Sequence, residues 1–375
     1  MKWNAERVVR ELFEKAGVEV GGSAPSDIVV KDSRFYNRLL REASIGLGES
    51  YMDGWWECEA LDRFIEKLLR AELKSKITGD WRLKLLTVTA LLTNMQSRKR
   101  AYQVAEKHYD LGNDLYEAML DPRMVYTCAY WKGASDLAGA QESKLDLVCR
   151  KVGLGPGKRV LDLGCGWGGF AIYAAEKYGC EVLGVTIARE QQRWGQERAR
   201  AKNLPVEIRL NDYREVEGQF DVVVSLGMLE HVGWKNHRTF MEVVHRSLKS
   251  DGIALVHTIG QNRSAHHATP FVHKHLFPNA MAPSIAQIGR AMEDLLVMED
   301  WHNFGPDYYP TLMAWWQNFD RNYAALDHSK YDQRFYRLWR FYLQSGGGIA
   351  LARDGQLWQV VMTKSRRPQP DCRCV

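Results

Sequence analysis

Apolar residues recur at helical spacing through the first quarter of the chain. From about residue 140 they gather into short runs separated by helical segments. Residues 3–15 predict an amphipathic helix with Val8, Leu12 and Phe13 on one side, broken by Gly21 and Gly22. Residues 34–41 and 62–73 repeat the helical pattern, and 83–95 form a strongly apolar run between basic groups. Further on, Arg159–Leu163, Glu181–Thr186, Val206–Leu210, 220–225 and 252–257 read as strands, with helices at 170–178 and 191–202. This rhythm predicts an α/β fold: a doubly wound, parallel, Rossmann-like sheet with helices on both faces. A smaller, mainly helical N-terminal domain and linker is expected over residues 1–95, ahead of a catalytic domain over 96–375. After Gly260 the pattern dissolves into a stretch containing His, Pro and aromatic residues, about 261–345, which reads as a lid. In such folds ligands bind at the carboxyl ends of the strands, where strand order reverses.

Charge sharpens the picture more than composition does. The chain has 375 residues, 45% hydrophobic and 26% charged, as expected of a globular protein. No apolar run approaches the roughly 18 residues of a spanning helix. The first fifteen residues mix charges of both signs without a signal-peptide core. The seven cysteines are scattered without a CxxC pair, so reduced thiols in the cytoplasm are expected, with Cys372 and Cys374 in a frayed terminus. The net charge is +5, yet residues 63–100 alone hold ten basic and three acidic residues (Glu66, Glu72, Asp80). Such an excess points to an acidic surface, either nucleic acid or anionic lipid.

The first strand of the alternating region runs into Asp162-Leu163-Gly164-Cys165-Gly166-Trp167-Gly168-Gly169. Its glycines permit a tight strand-to-helix turn and close approach of a ligand. The spacing G-x-G-x-G-G, with Asp two residues before the first Gly, resembles the first motif of class I S-adenosylmethionine-dependent methyltransferases. Asp212 and Tyr213, after the third strand, are candidates for the adenine, although Asp212 also fits a helix cap. Many methyltransferases end the second strand in an acid that holds the ribose; here Thr186 and Ile187 stand there, and Gln191 is the nearest polar substitute.

These residues resemble cyclopropane fatty acid synthases when taken with several others: Gly46-Leu-Gly-Glu-Ser-Tyr-Met-Asp-Gly-Trp-Trp56, His108-Tyr-Asp-Leu-Gly-Asn-Asp-Leu115, Tyr126-Thr-Cys-Ala-Tyr-Trp131, Glu230-His-Val-Gly233, His257-Thr-Ile-Gly260 and Met298-Glu-Asp-Trp-His-Asn-Phe-Gly305. The resemblance covers residues 46–361. It implies transfer of a methylene from S-adenosylmethionine to the cis double bond of an unsaturated phospholipid acyl chain, through a carbocation, with bound bicarbonate as base. It places the bicarbonate at Cys128, Glu230, His257, Ile259 and Tyr308. The cofactor falls to Tyr126, Thr127, Asp162, Gly164, Cys165, Gly166, Trp167, Gly168, Thr186, Ile187, Gln191, Asp212 and Tyr213. It further implies a homodimer working at the inner face of an anionic membrane, with lipid and not nucleic acid as partner.

Elementary chemistry agrees with such a site. An alkene is a poor nucleophile, so a cation must be stabilised in a dry, preorganised pocket. Glu230 supplies negative potential, His257 a neutral imidazole, Tyr308 a hydroxyl, and the Cys128 and Ile259 backbone N–H groups suit an oxyanion. The rings of Tyr126, Tyr130 and Trp131 are candidates to face the cation. Glu230 as a helix cap, His257 as a core histidine and Tyr308 as packing are the plainer alternatives. Some relatives carry a cysteine where this chain reads Ser345-Gly-Gly-Gly348, so covalent catalysis by a thiol there is excluded. His266, His267, His273 and His275 lack carboxylate or thiol partners at ligand spacing, so no metal is expected. Methylation of an acyl chain without ring closure is the nearest rival. A methyltransferase for small amines or hydroxyls, and a non-catalytic lipid- or nucleic-acid-binding protein, are the others.

Overall fold

A computed structural model describes residues 4–72 and 112–374. Most of the basic stretch, its apolar run 83–95, the start of the His108 motif and the boundary at 95–96 lie outside the described residues.

The strands Arg159–Leu163 (β3), Glu181–Thr186 (β4) and Val206–Leu210 (β5) form as the apolar runs predict, followed by Phe220–Leu226 (β6) and Leu248–Gln261 (β7). With Val297–Asn303 (β8) and Gly355–Thr363 (β9) they form one seven-stranded sheet of order β5-β4-β3-β6-β7-β9-β8, parallel as far as β7. Strand order reverses at β3, so the glycine loop lies at the switch point. The helices Gly169–Tyr178 and Arg189–Ala201 complete the βαβαβ unit.

Two strands go beyond the parallel pattern. Val297–Asn303 (β8) and Gly355–Thr363 (β9) add an antiparallel edge. β9 is buried along nearly its whole length, whereas β8 is an edge strand with Val297 and Met298 exposed. The segment 261–345 therefore holds the helices Pro270–His275, Ile285–Met292 and Tyr308–Asn322, and the edge strand of the sheet as well. One of its residues touches the candidate site: Met281 N donates to Glu230 O at 2.8 Å.

The N-terminal region is helical around a small hairpin of Ile28–Val30 (β1) and Trp56–Cys58 (β2). The first helix, Ala5–Lys15, starts at Asn4, whose side chain accepts from Arg7 N. It buries Ala5, Val9 and Phe13, one step round from the expected face, with Val8 and Leu12 on its flanks. The second helix runs on to Met52, past a kink at Ala43 (φ 46°). This region shares its core with the C-terminal helices. Tyr51 and Trp56 meet Phe341 of the helix Gln333–Leu351 at ring separations of 5.6 and 6.4 Å.

The glycines of the Ser345–Gly348 run explain themselves in that packing. A Cβ on Gly348 would lie 2.5 Å from Asp62 O and 2.8 Å from Ile65 Cβ, on the helix Leu61–Arg70. We expect Gly348→Ala to lower thermal stability by about 1–3 kcal/mol through overpacking, more than the roughly 1 kcal/mol that alanine gains as a helix former. An unchanged or raised melting temperature would contradict this packing.

The C-terminal tail departs from expectation. Cys372 is 2% exposed and joins the core cluster that includes Cys149 and Cys180, so the chain end is packed down and not frayed. Trp56 is fully buried, and Trp55 is covered by the guanidinium groups of Arg34 and Arg38.

Candidate active site

The turn after β3 opens a cavity of about 180 Å³ at the carboxyl ends of β3, β4 and β6. Of the expected cofactor residues, Tyr126, Thr127, Asp162, Gly164, Cys165, Gly166, Trp167, Thr186, Ile187, Gln191, Asp212 and Tyr213 line it. Gly168 does not: a Cβ there would meet Ile208 Cδ1 at 2.7 Å, so this glycine serves helix packing. Gly166 adopts φ 55° with open space where a Cβ would stand, a backbone surface bared to the cavity.

Polar groups are set at its edges. Burial pushes the Asp162 carboxyl up to about 7, and Oδ2 has no hydrogen-bond partner. Thr186 donates to Gln191 Oε1 at 3.0 Å, which fixes the amide beside the end of β4. Asp212 lines the cavity and also caps the turn Tyr213–Glu215, as read, while pairing with Arg214 at 2.6 Å. Arg214, Asn211, His231 and Met228 also line the cavity. Asn211 and Met228 went unread because they sit in loops that carry no periodicity, Arg214 because it follows Asp212 in a single short turn; His231 falls inside the Glu230–Gly233 motif, where no cavity role was read for it. Asp162, the bare Gly166 backbone and the polar rim fit an amino-acid-bearing nucleoside such as S-adenosylmethionine.

The second group of candidates converges beside this cavity. Glu230 lies on the short helix Leu229–Val232 after β6, and its Oε1 accepts from Ile259 N at 2.5 Å. That N–H is therefore already engaged. Burial pushes the Glu230 carboxyl up to about 7, against the pull of the Ile259 N–H, and Oε2 has no hydrogen-bond partner. His257 sits on β7 opposite Leu226 of β6 and is 1% exposed. Burial, with Lys144 and Lys151 adding to it, holds the His257 imidazole well below its ordinary value, and neither ring nitrogen has a partner. Cys128, Ile259 and Tyr308 meet in one apolar cluster with Phe304, whose ring is 5.8 Å from His257. Burial raises the Tyr308 phenol and the Cys128 thiol far above their usual ranges, so both stay protonated. Of the expected rings, Tyr126 lines the cofactor cavity and bonds Tyr342 through their hydroxyls at 2.9 Å. Tyr130 packs on Phe304, and Trp131 donates to Thr311 at 2.9 Å.

Two supports of this site have no motif of their own. Thr311 accepts from Ala129 N and Trp131 Nε1, clamping the Cys128 segment from one side. Gln141 clamps it from the other, donating to Val125 O and Thr127 O.

The carboxyl of Glu230 gives a direct stability test. Unfolded, it ionises near 4.5; folded, it keeps its proton to about 7. Its folded value is raised, so stability falls as pH rises from about 4.5 to about 7, by up to ~3 kcal/mol. Glu230→Gln should raise the melting temperature of the ligand-free protein at about pH 8 and leave it unchanged at about pH 4. An equal shift at both would contradict a buried, protonated carboxyl.

A sheet of this order, with its glycine loop and cavity at the end of β3, defines a class I methyltransferase. Residues 96–360 match the family model of mycolic acid cyclopropane synthetase. The chain is 50% identical over 361 residues to the cyclopropane-fatty-acyl-phospholipid synthase of Escherichia coli (strain K12), covering 96% of this chain and 94% of that one. It is 32% identical over 339 residues to the tuberculostearic acid methyltransferase UfaA1 of Mycobacterium tuberculosis, covering 85% and 79%. The solved mycolic acid cyclopropane synthase CmaA1, complexed with SAH and CTAB, superposes with a TM-score of 0.63 at 26% identity, covering 70% of this chain and 98% of that one. The chain belongs to the mycolic acid cyclopropane synthetase family and is an S-adenosylmethionine-dependent enzyme of cyclopropane fatty acid synthesis.

Proposed function

We propose that this enzyme forms cyclopropane rings on unsaturated phospholipid acyl chains, working as a homodimer at the inner face of the membrane. One observation carries the proposal: the unpartnered buried Glu230 Oε2 and His257 nitrogens, in the interior near Tyr308, whose phenol feels the Glu230 charge. Neutral His257 and Tyr308 offer donors, and Glu230 an acceptor, to a small oxyanion that itself carries a proton. Bicarbonate has that chemistry, and when bound it supplies the acceptor for the proton lost on ring closure. S-Adenosylmethionine supplies the electrophilic methyl. The chain's own residues exclude water, orient the alkene and surround the developing cation with fixed dipoles. Purified protein given unsaturated phospholipid vesicles and methyl-labelled cofactor should place the label in the acyl chains; label in headgroups or in soluble amines would overturn the proposal.

The membrane reading rests on sequence. No described helix is long and apolar enough to span a bilayer. We propose residues 1–95 as the lipid-binding domain, 96–375 as the catalytic domain and about 261–345 as its lid. Arg63 and Arg70 share Glu66, and Lys67 donates to Gly17 O, so the basic residues further along the sequence make the cleaner test. Reversing Arg98, Lys99 and Arg100 to Glu should abolish salt-sensitive binding to anionic vesicles, at about 1 kcal/mol per basic residue. Affinity for S-adenosylmethionine should stay unchanged. Equal co-sedimentation of wild type and variant across a salt series would place the surface elsewhere.

A further inference from the structure

Lys144 is a buried charge to which the reaction, as read so far, gives no part. It sits in the helix Leu137–Lys151 with no solvent exposure. An ammonium has three protons to donate. Among the described residues this one has a single hydrogen-bond acceptor, Thr127 Oγ1 at 2.6 Å. Among the described residues it has no ion pair either. Asp121 accepts from Arg123 N and Val125 N, each at 2.9 Å. Burial draws the ammonium down to about 8. The Asp121 and Asp162 carboxyls act on it only without a hydrogen bond or ion pair, and a buried cation bonded to one neutral hydroxyl is costly to the fold unless an anion joins it more closely.

Its neighbours define where such an anion would bind. Leu145 lines the cofactor cavity, and Leu147 packs with Cys128, Tyr130 and Phe304. Lys144 thus stands at the seam between the cavity and the cluster of Cys128, Ile259, Phe304 and Tyr308. Its charge is felt on both sides, at Asp162 and Cys128 and at His257. Its one partner, Thr127, is a cavity wall residue next to Cys128.

We infer that Lys144 is a positioning residue for the reaction, fixing the Thr127 side chain and supplying the positive charge that balances a small carboxylate-type anion bound at this seam. That chemistry has two sources: the bicarbonate ion, in which case the inference rests on the proposed function above, and the methionine-end carboxylate of the cofactor, in which case it does not.

Lys144→Met keeps the length and apolar body of the side chain and removes its charge; Lys144→Gln keeps a donor without the charge. The full-length variants are to be melted, titrated with S-adenosylhomocysteine by calorimetry, and melted again with bicarbonate at saturating S-adenosylhomocysteine. A lysine that only packs is replaceable by methionine without loss. The inference expects both variants to melt at or above the wild-type temperature while turnover falls by about tenfold or more. If bicarbonate is the anion, the bicarbonate-induced rise in melting temperature seen in wild type disappears and S-adenosylhomocysteine affinity is kept. If the cofactor carboxylate is the anion, that affinity drops by about tenfold or more and the bicarbonate response is kept. Wild type that shows no bicarbonate response at all sinks the bicarbonate reading itself, leaving only the cofactor arm. Variants with turnover, affinity and bicarbonate response all at wild-type levels overturn the inference, as does failure of both to fold.

Discussion

Glu230→Gln and Tyr308→Phe should each lower turnover by about two to three orders of magnitude, the cost of losing one preorganised polar contact in a dry site. Each substitution removes a hydrogen-bonding or charged group and little volume, so the pocket keeps its shape. Glu230→Gln retains an acceptor for Ile259 N. Neither side chain lines the cofactor cavity, so affinity for S-adenosylhomocysteine should stay within about twofold, since only interactions special to the transition state are lost. Steady-state rates set beside calorimetric affinities separate the two effects. Turnover close to wild type in both variants would remove Glu230 and Tyr308 from the chemistry and return them to capping and packing.

Gly166→Val should abolish cofactor binding. At φ 55° an L-residue pays about 1–2 kcal/mol for the left-handed conformation, and a β-branched one more. The larger effect is steric: the Cβ direction is open in the structure, so the added side chain would occupy the space facing a ligand. The N-terminal rings Phe13, Phe35 and Trp56 pack on one another and should stay folded. Unchanged affinity for S-adenosylmethionine in this variant would mean the ligand does not lie against the loop.

Much of this architecture could be read from periodicity because parallel strands are buried on both faces and so appear as short apolar runs. Arg159–Leu163 and Glu181–Thr186 formed with the expected bounds on that ground, whereas Val206–Leu210, at the sheet edge, was legible as an alternation, with Val206 and Ile208 buried and Glu207 and Arg209 exposed. β8 escaped because an edge strand need not be apolar: it carries Glu299, Asp300, His302 and Asn303 among its seven residues. Cys372 looked like part of a loose end because its burial comes from contacts distant in sequence. The site shows the same division. Glycine spacing and the Glu230 and His257 motifs were visible as strings. Lys144, Gln141 and Thr311 act by side-chain contacts across elements, which no local pattern records.

The most direct measurement uses cofactor carrying a fully deuterated methyl group, offered with vesicles of a monounsaturated phospholipid. Mass analysis of the recovered acyl chains decides the matter. Ring closure removes one proton from the new methyl, so the product should retain two of its three deuterons and have lost its double bond. Retention of all three deuterons would contradict cyclopropane formation and indicate methylation of the acyl chain without ring closure.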